Sequence, residues 1–270
     1  MSQGYSYSGY VYLDAKMIGL VVEHPQWYLP LFNFLFKNNL CIAFSDALLV
    51  DLSKTMRKHD EFNTLFTILP SAKTKSFQAV IEEEVNSYPK IRTDTLLLSP
   101  TSSEVGKQTI SNWLISDEIN EARRNQLLYA ENIKQHLELV KSNFPPSNHG
   151  KYTRGQAEMF AWLITVQWLR KSHPNFMKKL INNKRLLKAK AFPSIQLFGY
   201  YVYYRYYLDN RQPRSISDFG DLFHMFYFPY CKLIILERDM CSILNKIKLQ
   251  SKMLDDVKVT NMDSLNNNQN

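Results

Sequence analysis

Two short runs of β-forming residues, GYVYL at Gly9–Leu13 and LCIAF ending just before Ser45, are each followed at once by a polar residue and an apolar helical pattern. A strand that hands over to a helix, twice in succession, leaves successive strands parallel, because the helix carries the chain back to the edge it started from. This alternation implies an α/β architecture. Ser45 is a good N-cap, Asp46 suits a first turn, and Leu48, Leu49 and Leu52 supply a buried face for a helix from about Asp46 to Lys58. A third run, FTILP at 66–70, reads as another strand, with a helix from about Ser71 to Tyr88 carrying Glu82, Glu83 and Glu84.

From Pro89 the character changes. Residues 103–141 form a polar helical stretch anchored by Trp113, Leu127, Ile133 and Leu137, and SNFPPSNHG ends it as a linker. Two further helices, Gln156–Leu169 and Asn175–Leu187, are joined by SHPN, and no strand is expected in this middle section. The aromatic run SIQLFGYYVYYRYYL, Ser194–Leu208, suits a helix by its length, against its β-propensity. Beyond a turn at 210–213, a helix is expected from Asp218 to about Phe226, a strand at Lys232–Leu236 and a last helix at Met240–Lys252. The stretch from about Asp255 to the end, finishing in LNNNQN, reads as disordered. The two ends of the chain are thus expected to build one sheet around a helical middle.

Composition excludes several classes. The longest apolar stretches are broken by Arg205, or by His224 and Lys232, well short of the roughly 18–20 residues of a membrane span. No membrane partner is expected. MSQGYSYSGY lacks the basic and apolar regions of a secretory signal, so a cytoplasmic protein is expected. Cys41, Cys231 and Cys241 lie in apolar surroundings without CxxC spacing and read as reduced, buried thiols. Neither GxxxxGK[ST] nor GxGxxG occurs, which argues against an ATPase or a dinucleotide enzyme. A net charge of +8 favours a polyanionic partner, and from Lys151 to Lys190 ten Lys and Arg stand against one acid, Glu158. Arg154, Arg170, Lys171, Lys178, Lys179, Lys184, Arg185 and Lys188 suit either a nucleic-acid backbone or a solvated helix surface.

The candidate chemistry lies in carboxylates. Asp14 directly follows GYVYL, and Glu237 directly follows KLIIL, so two strands end in an acid on one edge of a parallel sheet. Asp51 sits in an otherwise apolar helical stretch, ALLVDLS. Asp218 and Asp221, three apart, share a helix face that His224 extends by a further turn. Singly, each has an ordinary use as cap, turn residue or surface charge. Together they would repel one another unless a divalent cation stood among them, and oxygen ligands suit Mg²⁺ or Mn²⁺. His224 reads as a structural hydrogen-bonding residue or a support to the site. Glu82 to Glu84 read as a solvated face with one minor candidate ligand, and Arg205 as a phosphate-binding or structural cation reaching toward the acids. At least half of the tyrosines at 200–207 read as core, with base stacking as the alternative.

The order of YLDAK, FSDALLVDLS, SDFGDLFH and PYCKLIILERDM resembles that of PIN and PIN-like nuclease domains. The resemblance implies a three-layer α/β/α fold with a central, mainly parallel sheet over residues 8–88 and 192–250, interrupted by a helical insertion at 89–191 that the family's small members lack. It implies that Asp14, Asp51, Asp218 or Asp221, and Glu237 bind divalent metal and hydrolyse RNA, with Asp239 competing for the place of Glu237. It further implies an endoribonuclease in a bacterial toxin or anti-phage role, restrained by a regulatory protein partner. The alternative is an inactive PIN-like module that binds nucleic acid or protein.

Overall fold

GYVYL forms strand β1 (Gly9–Leu13), and the helices and strands that follow it alternate as the opening of the sequence implies. The structure is a computed structural model and describes residues 7–54, 58–90, 112, 114–143, 145–146, 154–208 and 216–261. After β1 come α1 (Ala15–Glu23), α2 (Tyr28–Lys37), β2 (Leu40–Phe44), α3 (Asp46–Ser53), α4 (His59–Ile68), β3 (Ser71–Lys73) and α5 (Phe77–Ser87). The middle holds α6 (Asp117–Asn143), α7 (Arg154–Ser172) and α8 (Pro174–Asn182). Then come α9 (Pro193–Val202), which continues as a π-helical turn (Tyr203–Tyr207), a 3-10 segment (Ile216–Phe226), β4 (Leu233–Ile235), α10 (Arg238–Ser251) and β5 (Lys258–Thr260).

The five strands lie in the order β3-β2-β1-β4-β5, and every neighbouring pair is parallel. From β1 the chain works outward to β2 and β3, then returns to the far side of β1 for β4 and β5. The order therefore reverses between β1 and β4. At such a point the connections leave two adjacent strands in opposite directions and open a crevice at the carboxyl edge of the sheet. Residues Tyr10 to Leu13 and all of β2 are buried. Because successive strand side chains point to opposite faces, both faces of the sheet are covered, which makes the three layers.

The helical middle shares this core. Tyr129 of α6 stacks on Trp168 of α7 at 5.4 Å between ring centres, and Phe77 of α5 meets both edge-on. α7 and α9 cross so closely that a Cβ on Gly199 would stand 2.9 Å from the Ala161 Cα. Five of the clustered tyrosines, Tyr200, Tyr201, Tyr203, Tyr204 and Tyr206, are buried, so core packing overrides β-propensity in this run. The three cysteines are free and buried. Among the described residues no helix is long and apolar enough to cross a membrane.

Several local expectations need correction. FTILP is not a strand: Phe62, Leu65, Phe66 and Leu69 recur at helical spacing and are all buried, so period 3.6 prevails and α4 runs on to Ile68. The third strand is instead Ser71–Lys73, poor in β-formers but paired with Ile42–Phe44. The helix expected from Ser71 starts at Phe77, where Ser76 caps it by accepting from the Ala79 N–H. The helix expected to reach Lys58 ends at Ser53, and residues 55–57 lie outside the described ones. α8 stops at Asn182, and Lys184 beyond it takes a positive φ of 52°. The stretch after Asp255, expected to be disordered, contributes β5, whose Val259 pairs with Ile234 of β4. Residues 262–270 lie outside the described ones, as do Trp113 and most of the linker at 142–150.

Candidate metal centre

Asp14 sits where β1 passes into α1, at the reversal of strand order. Its Oδ1 accepts the Met17 N–H at 2.7 Å as the N-cap of α1. Its Oδ2 accepts the Glu237 N–H at 2.9 Å, across the crevice between β1 and β4. Both oxygens are thus engaged with backbone. Burial raises the Asp14 pKa, and these N–H groups together with the nearby His224 oppose the rise.

The 3-10 segment 216–226 brings the next residues. With three residues per turn, positions i and i+3 eclipse one another, so the sequence separates into rows. Phe219, Leu222 and Met225 form one buried row, and Phe223 and Phe226 belong to another. Asp221 and His224 occupy the third row. Two apolar rows hold the segment to the core while the polar row meets α3. An α-helix over the same residues would not align 221 and 224 so directly.

On α3, Asp51 is the meeting point. Its Oδ2 lies 2.9 Å from His224 Nε2, and its Oδ1 accepts from Lys54 Nζ at 2.6 Å. On the other side of the ring, His224 Nδ1 is 2.5 Å from the Tyr12 hydroxyl, which is itself 2.5 Å from Ser45 Oγ. Ser45 caps α3 by accepting the Leu48 N–H at 3.1 Å. A continuous chain of polar contacts therefore runs from the α3 cap through β1 to the 3-10 segment and back to α3.

Donor atoms of Asp51, Asp221 and His224 all lie within 4.8 Å of one another, a group able to hold a metal ion. Burial pushes Asp221 up to about 6; His224 opposes this, while the charges of Asp51, Glu237 and Asp14 reinforce it. Burial would also raise Asp51, but the hydrogen bond and charge of His224, with Lys54, bring it below its ordinary value. For His224, burial works against the charged form, yet Asp51 first, then Asp221 and Asp14, raise its pKa overall. Two carboxylates and an imidazole at this separation fit a divalent cation by donor chemistry.

Glu237 and Asp239 stand outside this group. Glu237 begins α10 without capping it through its side chain, and its Oε2 pairs with Lys16 Nζ at 2.8 Å. It stays within the electrostatic reach of Asp221 and Asp14. Asp239, on the first turn of α10, lies 4.0 Å from Arg205 Nη1. Asp218 belongs to the 3-10 segment, but its side chain is outside what is described. Glu82 is exposed, whereas Glu84 faces the core and binds Tyr230 and Ser194, far from a ligand role. His224 is the residue sequence reasoning placed too far out. Its spacing of three from Asp221 was visible; that this spacing would be read by a 3-10 helix was not. Tyr12 carried no signal beyond membership of a strand.

No family model, curated protein or solved structure matches the chain.

Proposed function

We propose that the protein is a metal-dependent nuclease that hydrolyses phosphodiester bonds, an endoribonuclease of PIN-like type. The observation that carries this reading is the convergence of Asp51, Asp221 and His224 from distant parts of the chain beside the sheet crevice. An imidazole among the donors favours Mn²⁺ over Mg²⁺, which prefers oxygen alone. A bound divalent ion supplies an acidified water and stabilises charge on the phosphoryl oxygens. The protein's own part is positioning. Lys54 orients the Asp51 carboxylate, the Tyr12 hydroxyl fixes the His224 ring, Asp14 ties β1 to the start of α10, and Asp221 offers the second carboxylate. Exposed Arg170, Lys171, Lys178, Lys179, Lys184 and Arg185 supply charge for a nucleic-acid backbone. The preference for RNA over DNA, the toxin or anti-phage role and the regulatory protein partner rest on the resemblance alone.

A second reading is a non-cleaving PIN-like module that binds nucleic acid or protein. It is favoured by His224, whose two ring nitrogens are already engaged, Nε2 with Asp51 at 2.9 Å and Nδ1 with the Tyr12 hydroxyl at 2.5 Å, so that Asp51 has a partner without a metal. One experiment separates the two: incubation with single-stranded and structured RNA and DNA in Mn²⁺, Mg²⁺ or EDTA, beside Asp51→Asn and Asp221→Asn. Cleavage that needs Mn²⁺ or Mg²⁺ and is lost in both variants supports the nuclease. Cleavage indifferent to both substitutions would sink the site, and salt-sensitive binding without cleavage supports the module.

A further inference from the structure

α9 does not end where its α-helical hydrogen bonding ends. At Tyr203 the backbone widens, and the Leu208 N–H reaches back five residues to the Tyr203 carbonyl at 2.9 Å. A π turn at the end of a helix spaces its residues differently from an α-helical turn and so sets the direction of their side chains. Here Tyr203, Tyr204 and Tyr206 are buried and hold the turn in place, with Tyr206 stacked on Phe219 at 4.8 Å. The residue set among them is Arg205, whose side chain remains 23% exposed.

Arg205 stands at the rim of the acidic group. Its guanidinium is 4.0 Å from the Asp239 carboxylate and within the electrostatic reach of Asp221. Among the described residues, two lysines near the site are more tightly engaged, Lys54 with Asp51 at 2.6 Å and Lys16 with Glu237 at 2.8 Å. Arg205 is the most loosely paired of the three. An ion pair at that distance, to a carboxylate 58% exposed, adds little stability, so it does not account for a guanidinium held here among buried tyrosines. A guanidinium offers a planar fork of donors that matches two phosphate oxygens at once.

We propose that Arg205 binds the non-bridging oxygens of a backbone phosphate adjoining the scissile linkage and so sets the register of the strand over Asp51, Asp221 and His224. This rests on the nuclease reading given above. It makes Arg205 a substrate-binding residue, distinct from the groups that hold the ion.

The test is a cycle between protein and substrate. Wild type, Arg205→Ala and Arg205→Lys are assayed in Mn²⁺ on single-stranded oligoribonucleotides. In each substrate one phosphate is replaced by an uncharged methylphosphonate with a 2′-deoxy sugar at that nucleotide, and the replacement is stepped along the strand. With unmodified substrate, Arg205→Ala is expected to raise KM by about 10- to 100-fold, the range for a hydrogen bond to a charged group, with kcat changed far less. Arg205→Lys should recover part of the loss. At one position near the scissile bond, the methylphosphonate should weaken wild type to the level of Arg205→Ala and leave that variant no worse. Effects that multiply at every position overturn the assignment of Arg205 while leaving the nuclease reading intact. A loss confined to kcat, or a changed Mn²⁺ affinity in a titration without substrate, also overturns it, because a purely structural counter-ion would act that way. Wild type that neither cleaves nor binds any oligonucleotide overturns both.

Discussion

His224 Nε2 lies 2.9 Å from Asp51 Oδ2, although 173 residues separate them along the chain. The contact joins the 3-10 segment to α3 and sets the charge balance of the candidate metal centre. It would be of little use if the ring could turn, and Tyr12 prevents that from the other side.

The first prediction concerns that lock. Tyr12→Phe removes the hydroxyl that links His224 Nδ1 to Ser45 Oγ, leaving two buried polar atoms without it. A cost of about 1–3 kcal/mol is expected, the usual penalty for buried groups deprived of a partner. Urea unfolding with the slope held constant measures it. An unchanged midpoint would mean that the Tyr12 contact contributes nothing.

Asp14 supports the site through the backbone. Asp14→Ala removes the α1 cap and the acceptor of the Glu237 N–H together. Loss of an N-cap alone costs about 1 kcal/mol, and the second contact should bring the total to roughly 1–2 kcal/mol or more. Thermal or urea melts of the variant beside wild type check this, and a neutral result would leave the bridge between β1 and α10 without energetic weight.

Glu84 gives a pH dependence remote from the metal centre. Its Oε1 accepts from the Ser194 N–H at 3.0 Å and the Tyr230 hydroxyl at 2.5 Å, while its buried Oε2 has no hydrogen-bond partner among the described residues. Burial lifts its pKa from 4.5 to about 7, despite the opposing hydrogen bonds. A raised folded value means that the native state holds a proton the unfolded chain has released. The contribution is therefore complete below pH 4.5 and is lost as pH rises through about 7. At about 1.4 kcal/mol per pH unit the total is on the order of 3 kcal/mol. Glu84→Gln keeps an acceptor but cannot ionise, so it should flatten this fall. Urea unfolding at pH 5 and pH 8 should show the variant gaining on wild type at the higher value.

Two glycines should respond with opposite signs. At Gly199 a methyl group meets the Ala161 Cα at 2.9 Å, so Gly199→Ala must push α7 from α9 and is expected to cost about 1–3 kcal/mol. At Gly19 on α1 a methyl group meets nothing within 4 Å, so Gly19→Ala should stabilise by about 0.5–1 kcal/mol through the lower entropy of the unfolded chain. Parallel denaturation curves decide both, and a destabilising Gly19→Ala would contradict the open space beside α1.

Much of this protein is written locally. GYVYL, LCIAF and the LII of KLIIL are strands because β-forming, apolar residues run for several positions before a cap, and Ser45 starts α3 because its hydroxyl reaches the Leu48 N–H within one turn. Such signals act over a few residues, so one sequence carries them, and they sufficed for a parallel α/β sheet with Asp14 and Glu237 at its carboxyl edge. β3 and β5 needed the tertiary structure, since Ser71–Lys73 and Lys258–Thr260 become strands only because β2 and β4 present unpaired backbone groups beside them. The site divides in the same way. Which residues are acidic was plain from the chain, but a carboxylate's role depends on what stands within a few ångströms of it. Packing of the 3-10 segment on α3 put Asp221 and His224 against Asp51, while the crossing from β1 to β4 turned Asp14 toward backbone N–H groups.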